Sequence, residues 1–255
     1  LVVVLLVTTL HPIKNLMDTP MKTKTTIRAA IIAGAIATSV ASNVNASLIN
    51  LGPGSFTSQA TVITFSEVPL NTVNPTYNVT VGSLGNMTVS FAGSFVGQTV
   101  TGDSVKTLAG APAGPLTVND GSNPSSPVLS GTPTFNGPIA VLFSLPVAAV
   151  GLDGGFFNAV AGTTIAAYDA NGNVLGSVVN SILGIETYGL ADAGGNNVIK
   201  GISFYITGDE PFGFAIDNLT FGAGNVVKGL PDGGSSMMLL ATSLLGLGFF
   251  QRRKQ

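Results

Sequence analysis

The sequence predicts an all-β protein: an antiparallel β-sandwich, jelly-roll-like, flanked by an N-terminal signal helix and a C-terminal transmembrane helix. Three observations carry that expectation. Between Ala60 and Phe221, apolar and polar residues alternate in run after run, which sets successive side chains on opposite faces of a strand. Turn-formers separate the runs, in a chain with 33 Gly and 14 Pro. Nowhere in that stretch do apolar residues recur at i, i+3, i+4 and i+7 over three turns, so no amphipathic helix competes.

Residues 1–20 read as sequence upstream of the true start, with synthesis beginning at Met21 or Met17. From Met21 the pattern is a secretory signal, residues 21–46. Lys22, Lys24 and Arg28 form its positive start, residues 29–40 its apolar segment, and Val44 and Ala46 the small positions before cleavage between Ala46 and Ser47. The body, residues 47–229, reads as one sandwich domain. Strands are expected at 60–65, 77–81 and 87–91, where β-branched and aromatic residues alternate with polar ones. Residues 102–137 are looser, with loops and one or two short strands. Residues 138–143 and 147–152 are strands again. Residues 164–169 and 174–178 flank Asn171 and Gly172, a pair that tolerates the positive φ of a two-residue hairpin. Strands at 186–191, 198–206 and 212–221 close the body.

The tail has three parts in sequence. Leu230, Pro231, Asp232, Gly233 and Gly234 form a turn. Residues 237–250 are an uncharged apolar run, and Arg252, Arg253 and Lys254 a basic end. Extended back through Ser235, the run is long enough for a short spanning helix, its basic end held in the cytoplasm.

Composition removes several functions. Charged residues make up 9% of the chain, against about 25% in soluble globular proteins. The body holds ten acids and three bases, so phosphate backbones are repelled and nucleic-acid binding is excluded. The chain has no Cys, and its one histidine, His11, precedes the body. Ser-His-Asp and Cys-His catalysis and zinc held by His or Cys therefore cannot be built there. No catalytic residue is assigned. What remains is carboxylate chemistry. A glycan-acting enzyme would need two acids facing each other across a cleft. Calcium takes oxygen ligands, and Asp153, Asp209, Glu210 and Asp217 are its candidate holders, because acids beside apolar strands need a partner or a cation. Alternatively, Asp217 binds no metal and accepts backbone N–H bonds as a turn-former. With no Trp in the chain, Tyr77, Tyr168, Tyr188 and Tyr205 are the aromatic candidates for sugar contact.

The tail resembles the PEP-CTERM family of C-terminal sorting signals, in the variant where Pro-Asp-Gly-Gly replaces Pro-Glu-Pro. Leu230 stands where that variant usually has Val. Residues 147–221 are also similar to sandwich bodies of that family, through the strand Ala149 to Asp153, the hairpin Tyr168 to Gly172 and the closing stretch Phe214 to Phe221. The resemblance implies processing by an exosortase, a membrane-embedded cysteine peptidase of exopolysaccharide-producing Gram-negative bacteria. It implies transient residence in the inner membrane, then delivery to the outer surface or the extracellular matrix. The expected role is structural or adhesive, linked to exopolysaccharide or biofilm. The alternatives are a carbohydrate-binding or glycan-acting protein with a carboxylate pair, and a plain sandwich anchored in the membrane by its C-terminus.

Overall fold

The alternating runs fold as strands, and every strand pairing is antiparallel. The structure is a computed structural model, described over residues 47–98, 107–109, 114–121 and 127–230. The expected signal 21–46, with Ala46, lies outside the described residues, as do Pro231, Asp232, Gly233, Gly234 and the apolar run 237–250. Among the described residues, no helix is long and apolar enough to cross a membrane.

The strands are β1 (Leu48–Leu51), β2 (Thr61–Ile63), β3 (Thr76–Val81), β4 (Gly85–Ala92), β5 (Leu116–Val118), β6 (Val128–Ser130) and β7 (Ile139–Val147). They continue as β8 (Ala149–Phe157), β9 (Thr163–Tyr168), β10 (Val174–Val179), β11 (Gly184–Asp192), β12 (Ile199–Ile206) and β13 (Ala215–Gly222). One sheet has seven strands in the order β1-β11-β8-β13-β6-β5, with β2 also paired to β13; the other has six in the order β10-β9-β12-β7-β4-β3. From β7 onward the chain passes repeatedly between the two sheets.

The period-two pattern explains how the sheets meet. On β4, Met87, Val89 and Phe91 are buried while Asn86 and Thr88 are not. Their buried faces join Val150, Leu152, Tyr188, Phe204 and Phe221 in one apolar core drawn from both sheets, which makes the arrangement sandwich-like. Aromatic edges lock parts of it. Phe65, Tyr77 and Phe91 meet edge-on at 5.5–6.2 Å, a favoured geometry for ring quadrupoles. Tyr188 and Phe157 from the larger sheet meet Phe204 from the smaller at 6.0 and 6.3 Å.

β9 is buried at every residue. Ile165 and Ala167 face the main core, while Ala166 and Tyr168 join Phe95, Ala140 and Tyr205 in a second cluster on the other face. Phe95 bridges Leu108, and Gln98 Nε2 donates to the hydroxyls of Tyr168 and Ser203. A segment that reads as loop thus covers the outside of the smaller sheet.

Some strand limits differ from expectation. β1 was not anticipated; it adds an edge to the larger sheet through pairing with β11. β2 stops at Ile63, because the Thr64 N–H and hydroxyl donate to Glu67 and Phe65 turns at φ 59°. β13 begins at Ala215 instead of 212. Gly213 lies at φ 76°, and an added Cβ there would meet the Phe135 carbonyl at 1.8 Å, so Phe212 stays in the connection.

Candidate functional site

The described body starts and finishes at one end of the larger sheet. The Ala193 N–H donates to the Ser47 carbonyl at 2.8 Å, and Leu230 packs on the cluster of Leu51, Ala149 and Ala191. The strands run from there to the opposite end, since Ala149 pairs with Ala191 and Phe157 with Gly184. Connections between the sheets collect at that far end: 158–162, 180–183, 207–214 and 131–138.

Three buried polar side chains fix the first three of these connections. Asn180 is fully buried, and its Oδ1 accepts from the Thr163 N–H and hydroxyl at 2.9 and 3.2 Å. Its Nδ2 donates to the carbonyls of Ala159 and Ile182 at 2.7 and 3.2 Å. All four bonding positions of the amide are therefore used. The Glu210 carboxylate accepts the N–H groups of Asn158 and Ala159 at 2.8 and 3.2 Å. The Glu186 carboxylate accepts from the Ser181 N–H and hydroxyl, both at 2.6 Å, and from the Ile182 N–H at 3.1 Å. Buried backbone donors in irregular loops must find such acceptors, so each carboxylate has a structural task.

Against these fixed loops lies a cavity of about 280 Å³, lined in part by Phe135, Phe156, Phe212, Phe214, Asp120 and Asn158. Phe214 is a core residue whose ring meets Phe204 at 4.3 Å. Phe156 and Phe212 are instead 52% and 76% exposed. Among the described residues, no lysine, arginine or histidine lines the cavity. A narrow crevice carrying Asp153 and Ile185 shares Asp120 and Phe156 with it.

The four acids expected to hold calcium separate. Asp153 on β8 and Asp217 on β13 are directly opposed. The Thr187 hydroxyl and Asn218 Nδ2 donate to Asp153. The Asn218 N–H donates to Asp217 Oδ1 at 2.7 Å, and Asn218 sits at φ 47° in a bulge between Asp217 and Thr220. Asp217 is only 1% exposed. Glu210 serves the 158–159 turn, and Asp209 is exposed on the connection before it. Among the described residues, no three His, Cys, Asp or Glu side chains gather as a metal-binding group.

The tyrosines are not presented to solvent: Tyr77, Tyr168, Tyr188 and Tyr205 are all buried. Burial, then the charge of Glu67, pushes the Tyr77 phenol up. Burial does the same to Tyr188, against a bond with Thr163 that lowers it. The accessible rings are Phe156 and Phe212, which the sequence reading left unused. Two signals pointed to them. Adjacent Phe156 and Phe157 on one strand must face opposite sides, and Gly208, Asp209 and Pro211 mark a loop around Phe212.

No family model, characterised protein or solved structure matches the chain.

Proposed function

We propose that this chain is an exported protein of the cell surface or extracellular matrix, with a structural or adhesive role in exopolysaccharide or biofilm material. The observation that carries the reading is how the body uses its acids. Glu67, Asp169, Glu186, Asp192 and Glu210 each accept backbone N–H bonds within connections. Asp217 is sealed from solvent, so the Asp153–Asp217 pair does not face a substrate cleft as glycan hydrolysis requires. A scaffold of stitched loops suits presentation better than turnover.

The ends of the sequence supply the address. A signal at 21–46 cleaved between Ala46 and Ser47, and the motif Leu230, Pro231, Asp232, Gly233 and Gly234 followed by an apolar run and a basic end, suit export and exosortase processing through the inner membrane. The passage of the chain between sheets suits a jelly-roll-like sandwich. Within this reading calcium is proposed on Asp153 and Asp217 alone, because like charges on directly opposed strand residues repel.

The test is expression of the full chain in an exopolysaccharide-producing Gram-negative host, with fractionation and intact-mass measurement. The expected product is extracellular or surface-bound and lacks both residues 1–46 and the basic end. Retention of Arg252, Arg253 and Lys254 at the membrane would favour the plain anchor. Full-length protein in the cytosol would sink both.

A further inference from the structure

We propose that the cavity at the loop end binds an organic cation, an alkylated ammonium group of choline size. Four of its lining residues are phenylalanine: Phe135, Phe156, Phe212 and Phe214. Among the described residues of the lining the charged one is a carboxylate, Asp120, and the body around it holds ten acids against three bases. An anion is repelled by that field.

Among cations, the lining selects further. A metal ion needs several oxygen ligands, whereas the described residues offer one carboxylate, Asp120, and one side-chain amide, Asn158, here. A primary ammonium needs three acceptors, and phenyl rings supply none. An alkylated ammonium needs no hydrogen bonds. It gains from ring faces and from a nearby negative charge, which is how aromatic cages hold quaternary ammonium ligands. A neutral sugar would leave most of its hydroxyls against phenyl surface. At about 280 Å³ the space is close to the lower limit of ligand pockets, so it suits one small head group.

The surroundings point the same way. Phe156 at the end of β8 and Phe212 on the connection held by Glu210 stay 52% and 76% exposed. A strand end and a connection already tied to residues 158–159 have less to order on binding, which lowers one cost of association. With Phe212 76% exposed, core packing does not account for a ring at this position. The site is also at the end opposite Ser47 and Leu230, clear of either attachment. This inference does not depend on where the protein is delivered.

The test uses the full chain in a maltoside detergent, titrated by calorimetry with choline and, separately, with its neutral carbon isostere 3,3-dimethylbutan-1-ol. Choline is expected to bind about tenfold or more tightly than the isostere, since the isostere keeps shape and loses charge. Phe212→Leu keeps apolar bulk and removes the ring, and is expected to weaken choline about tenfold with the melting temperature unchanged. Asp120→Asn is expected to weaken choline and flatten its salt dependence. Co-sedimentation with phosphatidylcholine vesicles, against phosphatidylglycerol vesicles, tells a lipid head group from a free amine as the source. Equal binding of choline and the isostere, no choline heat with wild type, or unchanged affinity in Phe212→Leu would each overturn the proposal.

Discussion

At the scale of single residues, Asn180 illustrates how side chains replace missing strand bonds. Asn180→Ala strands the Thr163 N–H without its side-chain acceptor, takes the amide donor from the Ile182 carbonyl and leaves the Ala159 carbonyl with only the long bond from the Gly162 N–H at 3.4 Å. A loss of about 2–4 kcal/mol is expected, read as a lower urea midpoint. Asn180→Asp keeps the acceptor and loses the two donors, so it should also destabilise. Asp153 gives a second test. If a calcium ion bridges Asp153 and Asp217, the full chain melts higher in calcium than in chelator, because binding to the folded form alone raises the midpoint. Asp153→Asn should abolish that difference. An unchanged wild-type midpoint removes calcium from the account.

At the scale of elements, the β9–β10 hairpin was the most legible part of the sequence. Its signal is local, since Asn171 and Gly172 sit between two alternating runs. The turn is not the expected two-residue one: residues 169–173 connect the strands, and Gly172, not Asn171, takes positive φ (85°). The Asp169 carboxylate accepts the N–H groups of Asn171 and Asn173 at 2.8 Å. Burial alone would raise the Asp169 carboxyl. Bonds from the Asn173 side chain and from the backbone of Asn173, Asn171 and Gly172 outweigh that and hold it below the usual carboxylate range. The folded value therefore lies below the unfolded one. Its stabilising effect is complete above the unfolded value, near pH 4, and is lost as pH falls through the folded value. Asp169→Asn should cost about 1 kcal/mol or less at pH 7, since the group is largely solvated. The gap to wild type should close in acid unfolding below about pH 4. Long-range elements were less legible. Leu48–Leu51 is a strand because Gly189 to Asp192 lies beside it, and nothing within four residues announces that. The cavity was hidden for the same reason, since it joins Phe156 at the end of β8 to Asp120 and Phe212 from two separate connections. The four-acid cation set failed to converge because sequence proximity to an apolar strand does not say which way a carboxylate turns: Glu210 turned to Asn158, and Asp153 to Thr187.

At the scale of the whole body, two antiparallel sheets followed from composition and period alone, while the strand order did not. Alternation tells which side chains enter a core, but many sheet orders would bury them equally. The order fixes what lies at each end, and here it gathers Ser47 and Leu230 at one and the phenylalanine-lined cavity at the other. That polarity makes orientation automatic. A tether of any kind, whether a retained tail, a linker to a matrix or a purification tag on a sensor surface, would leave the phenylalanine-lined end pointing outward. Neighbouring copies on a crowded support would then present the same aromatic tips side by side, giving multivalent capture without any contact between subunits.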